Sequence, residues 1–366
     1  MTEFFHNFIS FILVLSIIVF IHEFGHYYIA KINNIKIDVF SIGFGKEIVG
    51  WTDKSGTRWK ISMLPFGGYV KMFGDYGPAS IIDAEKAANM TEEEKKQSFH
   101  HKPLSVKALV VAAGPAANFL LAIVIIASFF VISGKEYTPP IVEIIQEDSP
   151  ALKAGFKVND KILQIDETDI KSFKDIERAV NDSKLHKLKF LIQRNDEDVV
   201  IEVMPNVKIV KDMFDNEVEK KLVGIGSTNI EYEKLGILEA VRLATYETYF
   251  ISKMTLKGIG EMIIGTRSSE DVGGAIRIAK YSGMVVKYGV KSFFWFIAIL
   301  SINLGIINLF PISMLDGGHL FFYAIEAVFG KEISVKIQKY SLRIGIILIL
   351  SLTIFTFIND IRYLLK

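Results

Sequence analysis

Long apolar runs alternate with polar stretches along this chain of 366 residues. Four runs lie at about residues 4–30, 106–132, 293–310 and 344–358. Each approaches the roughly 20 residues that a helix needs to cross the hydrocarbon core of a bilayer. The third is the least uniform, since Asn303, Asn308 and Pro311 fall toward its end. Between the first two runs the chain is polar and glycine-rich. There, residues 59–64 and 68–72 alternate apolar and polar side chains around Pro65-Phe66-Gly67, which predicts a hairpin or strand–loop–strand near the membrane. Residues 75–97 are densely charged and predict a mobile helical loop.

The largest polar stretch, residues 134–291, begins as a β-rich pattern. Strands are expected at 141–145, 161–165, 187–193 and 198–204, with a helix over 173–181 that Ser172 would cap. From 235 to 264 the pattern becomes helical and amphipathic, with Leu238, Val241, Thr245 and Tyr249 on one stripe. A further helix is expected over 275–288. The pattern predicts a polytopic α-helical membrane protein of about four transmembrane helices, with a membrane-associated β-hairpin and an inserted β-rich domain. Its divisions are 1–133 (two spans and the hairpin loop), 134–230 (the β-rich domain), 231–291 (the amphipathic segment) and 292–366 (the last two spans).

Composition narrows this picture. Half of the residues are hydrophobic, and the net charge of +1 gives no electrostatic case for nucleic acid. The chain has no cysteine, so it forms no disulfide and any zinc must be held by His, Asp or Glu. The first apolar run lacks both a basic flank before it and a small-residue cleavage site after it, so it is expected to be a retained span. The loop after the first run and the loop over 331–343 are rich in Lys and Arg. The positive-inside rule puts both in the cytoplasm and the large polar stretch outside.

One ionisable group of residues interrupts the apolar pattern. His22-Glu23-Phe24-Gly25-His26 ends the first run. Histidines four apart share one helix face, so both imidazoles can reach one metal, with Glu23 close enough to act on water. Ionisable groups inside a membrane segment are costly and mark function. A catalytic zinc takes three protein ligands and leaves one position open. Asp316, in Asn308-Leu309-Phe310-Pro311-Ile312-Ser313-Met314-Leu315-Asp316-Gly317-Gly318-His319, is a candidate third ligand, or else a helix cap for the segment from Gly317 onward. His319 is read as structural.

The pair His-Glu-Phe-Gly-His and Asn-x-x-Pro-x-x-x-Leu-Asp-Gly resembles the site-2 protease family of intramembrane zinc metalloproteases, in its bacterial RseP-like branch. Ala113-Gly114-Pro115-Ala116-Ala117-Asn118-Phe119 is similar to that family's Gly-Pro-x-x-Asn element, and Phe66-Gly67-Gly68-Tyr69-Val70-Lys71-Met72 to its membrane-dipping hairpin. Residues 137–228 resemble a PDZ domain through Ser149-Pro150-Ala151 and Ala154-Gly155-Phe156-Lys157. The resemblance departs in two ways. There is room for one PDZ domain where many relatives carry two, and the usual Gly-Asp and Asn-Gly turns read Asn159-Asp160 and Asp166-Glu167.

The resemblance implies that His22, His26 and Asp316 bind Zn2+, that Glu23 is the general base, and that Asn308 holds the substrate backbone or polarises the scissile carbonyl. Gly67, Gly68 and Tyr69 would offer an edge strand to an unwound substrate. It also implies a bacterial inner-membrane protein with the PDZ domain periplasmic and the active site toward the cytoplasm. Its partners would be the lipid bilayer and single-pass membrane substrates, such as anti-sigma factors and signal-peptide remnants. A non-catalytic PDZ receptor would need no zinc. A transporter would carry charges in several spans, and the second and fourth have none at their centres.

Overall fold

A computed structural model describes residues 2–74, 90–183, 186–211, 217–266, 268 and 272–365. They fall into two compact units, one of Met1–Ala127 with Val241–Lys366 and one of Ser128–Ala240. Most of the charged stretch 75–97, expected as a mobile helical loop, lies outside the described residues.

The first unit opens with helix α1 (Thr2–Ile32). Two strands follow, β1 (Ile37–Thr52) and β2 (Arg58–Met72). The two segments around Pro65-Phe66-Gly67, expected as a hairpin or a strand–loop–strand, are both extended within β2 and do not form a hairpin with each other. Both instead flank β1: Phe40 pairs with Val70 and with Trp59, and Ser41 with Tyr69 and Lys60. The missed central segment is buried on both faces, with Phe40 and Ser41 sealed from solvent, so it carries little alternation to read. Its tip is tied by Asp53. Partial burial pushes that carboxyl up, but hydrogen bonds from Trp59, Ser55 and Thr57 outweigh this and hold it at about 2. A short helix α2 (Glu92–Gln97), closed by a Thr91–Glu94 capping box, leads to α3 (Leu104–Ile132).

The second unit is built from short strands: β3 (Lys135–Tyr137), β4 (Ile144–Ile145), β5 (Lys161–Ile165), β6 (Thr168–Asp169), β7 (Leu188–Arg194), β8 (Glu197–Val203), β9 (Asn206–Lys211), β10 (Glu217–Leu222), β11 (Ile225–Gly226) and β12 (Glu231–Glu233). Helix α4 (Pro150–Ala154) precedes β5, and α5 (Phe173–Asp182) lies between β6 and β7. An antiparallel sheet in the order β6-β5-β7-β8 packs Ile162, Ile165, Leu188, Phe190 and Ile192 against Val142 and Phe156. The expected strand over 141–145 is reduced to β4 plus one bridge from Ile141 to Lys161. Ser172 opens α5 as expected, with Asp175 accepting from its backbone N–H at 2.9 Å. Asn159 does adopt a left-handed backbone (φ 74°), and the buried Asp160 beside it takes two 2.7 Å hydrogen bonds from Arg194. Asp166 turns the β5–β6 hairpin at φ 51°. This is a β-rich unit inserted between the helices of a helical membrane protein.

The chain returns to the first unit through α6 (Ile237–Ile263), α7 (Ala275–Lys287), α8 (Val290–Asn308), α9 (Asp316–Phe329) and α10 (Val335–Leu365). The stripe of Leu238, Val241, Thr245 and Tyr249 on α6 is exposed; the face that packs instead is Ala240, Ala244 and Thr248. Among the described residues, α1, α3, α8 and α10 are long and apolar enough to cross a membrane. Helices suit that role because they satisfy their own backbone polar groups. Helices α1 and α3 meet at Gly25, where a Cβ would fall 2.3 Å from the carbonyl oxygen of Ala113.

Candidate metal centre

Helix α1 carries half of the site. His22 and His26 lie on one face, and their Nε2 atoms are 3.3 Å apart. Asp316 reaches them from the first turn of α9: its Oδ2 lies 3.2 Å from His22 Nε2 and its Oδ1 3.5 Å from His26 Nε2. The three ligand atoms lie within 4.8 Å of one another. Leu315, not Asp316, occupies the N-cap position of α9, and it makes no side-chain cap. The Asp316 carboxylate is therefore spent on the histidines and not on the helix end. Gly317 and Gly318 make its position possible, because Cβ atoms there would fall 2.2 Å from the Leu309 carbonyl oxygen and 2.4 Å from that of Ile312.

The residues fit a metal. His26 Nδ1 lies 2.8 Å from the carbonyl oxygen of Val110, which only accepts. The ring proton therefore sits on Nδ1, and Nε2 points a lone pair at Asp316. Oδ2 of Asp316 is buried without a hydrogen-bond partner. His26 Nε2 and Asp316 Oδ1 thus face each other at 3.5 Å as two buried acceptors, which is costly, and a cation between them removes that cost. Two imidazole nitrogens and a carboxylate oxygen are a donor set suited to catalytic zinc.

The other predicted residues gather around the same point. Glu23, His22, Asn308, Gly68, Tyr69 and Asp316 all line one cavity of about 510 Å³. Gly67 lines it as well. The Asn308 side-chain amide, at the end of α8, is 3.5 Å from His22 Nε2. Gly68 lays the β2 backbone against the glutamate: a Cβ there would sit 2.9 Å from Glu23 Cγ and 2.7 Å from the Ser41 carbonyl oxygen. Gly67 takes φ 120°, which other residues rarely adopt, and faces the Phe44 ring. His319 also lines the cavity, but it is outside the three-residue cluster and its ring lies 6.5 Å from that of Tyr323.

Two contributors on α3 belong to the Gly-Pro-x-x-Asn element, to which the sequence had assigned no role at the metal site. Gly114 leaves space for the imidazoles, since a Cβ would lie 2.2 Å from His26 Nε2 and 2.8 Å from His22 Cε1. Asn118, wholly buried, places its side-chain amide 3.1 Å from His22 Nδ1. Their spacing of four, continued from Val110, was the available signal. Gly114→Ala is expected to abolish stoichiometric zinc binding while leaving the second unit folded; elemental analysis and circular dichroism of the purified variant check this.

A model of peptidase family M50 matches residues 10–352. A Rickettsia conorii protein named "Putative zinc metalloprotease" is 41% identical over 97% of this chain and 98% of its own length. A Rhizobium meliloti protein of the same description is 39% identical over 97% and 96%. "Metalloprotease MmpA" of Caulobacter vibrioides is 33% identical over 97% and 95%. Among solved structures, the PDZ domain of an SdrC-like protein from Listeria monocytogenes is similar to 24% of this chain and 86% of its own, at 19% identity and a TM-score of 0.19, too low to bear on the fold. A family match over most of the chain and relatives aligned from end to end make this chain a member of peptidase family M50, and a zinc metalloprotease.

Proposed function

We propose that the enzyme hydrolyses peptide bonds inside the transmembrane segments of single-pass proteins, with His22, His26 and Asp316 holding zinc and Glu23 as general base. The observation that carries this reading is the location of the cluster: both histidines and the glutamate belong to a helix able to cross a bilayer, and Asn308 ends another. Zinc held there would supply Lewis acidity to water and to the scissile carbonyl. Glu23 takes the proton of the attacking water and delivers it to the leaving amine. Asn308 donates its amide N–H to the substrate carbonyl or backbone.

A lipid-embedded helix hides its peptide bonds, so the substrate must unwind before attack. Residues 68–72 pair with β1 along one edge, and among the described residues no other strand pairs along the opposite edge. An extended substrate added to that edge would pass Gly67, Gly68 and Tyr69 and lie beside Glu23. The substrates are anti-sigma factors or remnant signal peptides, in regulated intramembrane proteolysis. The enzyme sits in the bacterial inner membrane with the cluster toward the cytoplasm and the 134–230 PDZ domain outside. The test is cleavage of a trimmed single-pass segment by the purified enzyme in liposomes, abolished by a zinc chelator and restored by zinc. Zinc-loaded enzyme that leaves every such segment intact would refute it.

The PDZ domain acts as a size filter and takes no part in the chemistry. Replacing residues 137–228 by a short linker is expected to leave zinc content unchanged and to permit cleavage of substrates with bulky outer domains. Loss of cleavage of an already trimmed substrate, with the helices still folded, would make the domain a recognition module instead.

A further inference from the structure

We infer that Asn118 fixes the tautomer of His22, accepting the Nδ1 proton with its side-chain oxygen and so keeping Nε2 free for the metal. This rests on the zinc reading above. Asn118 is fully buried, and its side-chain nitrogen lies 3.1 Å from His22 Nδ1. In that orientation the amide N–H donates to Nδ1, which forces the ring proton onto Nε2. Nε2 is the atom that faces Asp316 and the metal position. The same orientation leaves the Asn118 side-chain oxygen buried with no partner. Oxygen and nitrogen of an amide are nearly alike in shape, so the hydrogen-bond network decides between them. A half-turn of the amide resolves both faults. The oxygen gains the Nδ1 proton, and His22 Nε2 regains its lone pair.

The neighbouring ligand shows the same arrangement. His26 gives its Nδ1 proton to the Val110 carbonyl. Val110, Gly114 and Asn118 are spaced by four, so one face of α3 supplies both acceptors, with a glycine between them that clears the two rings. Ser301 of α8 donates to the Asn118 backbone carbonyl at 2.9 Å, which holds that turn of α3 in place. Asn118 is thus a positioning residue: it touches neither substrate nor metal, and acts through His22. Such partners of ligating histidines set ring orientation and basicity, and their loss typically costs about 10- to 100-fold in metal affinity.

Two substitutions separate the acceptor role from packing. Asn118→Asp keeps an acceptor toward Nδ1 and removes the donor; Asn118→Leu fills similar space with neither. Zinc affinity of each, read by chelator competition, is expected to fall about 10- to 100-fold for Asn118→Leu and to stay at least at the wild-type level for Asn118→Asp. Equal loss in both, or no loss in Asn118→Leu, would overturn the inference. Nitrogen NMR of histidine-labelled wild-type enzyme decides the same point without any change at Asn118. His22 Nδ1, assigned by its absence in His22→Gln, is expected to carry a proton in the zinc-free protein; an unprotonated Nδ1 would overturn the inference. Wild-type protein that binds no zinc would instead refute the metal reading, while the NMR result would still report on Asn118.

Discussion

Glu23→Gln is expected to retain wild-type zinc content and thermal stability while lowering turnover of a transmembrane substrate by about 100- to 10,000-fold. The two side chains have the same shape. The cavity around Glu23 is close, with the Gly68 backbone packed on its Cγ, so an isosteric change is the one that fits without moving the strand. What glutamine lacks is the capacity to accept the water proton and return it to the leaving nitrogen. The glutamate has no competing structural assignment, since the cluster holds together through His22, His26 and Asp316. Single-turnover cleavage beside elemental analysis checks it. A variant that cuts at a near-normal rate would remove Glu23 from the proton path.

Asp316→Asn is the second large effect. The amide keeps the volume but gives up the anionic oxygens that face both histidines at 3.2 and 3.5 Å. A neutral oxygen is a poorer zinc donor, and loss of a direct ligand is expected to exceed the roughly 10- to 100-fold loss in affinity caused by removing an outer partner. Cleavage should fall in parallel and recover partly at high zinc, because the general base is still present. Undiminished zinc affinity would take Asp316 out of the ligand set.

Much of this centre was legible in the sequence because its groups sit at helical spacing or at a marked break in an apolar run. His22 and His26 are four apart on one helix, and Asp316 precedes two glycines whose need is now seen in the Leu309 and Ile312 carbonyls. The membrane helices were legible for a similar reason, since apolar length is a property of the chain alone. What the sequence hid depends on partners distant along it. Residues 39–42 form the middle of the β1–β2 sheet, and burial on both faces erased their alternation. The packed face of α6 is its small-residue face, which no hydrophobic stripe announces. Asn118 acts on a residue 96 positions away, so its role required the crossing of α1 and α3.

The central claim is that this zinc enzyme cuts within the membrane, and the position of the cut tests it most directly. Purified enzyme in liposomes, given a single-pass substrate with its outer domain removed, is followed by mass spectrometry of the products. The predicted scissile bond lies inside the apolar segment, and the products vanish both with Glu23→Gln and on zinc chelation. A bond cut in the polar flanks, or a cut inside the segment that survives either treatment, would contradict the account.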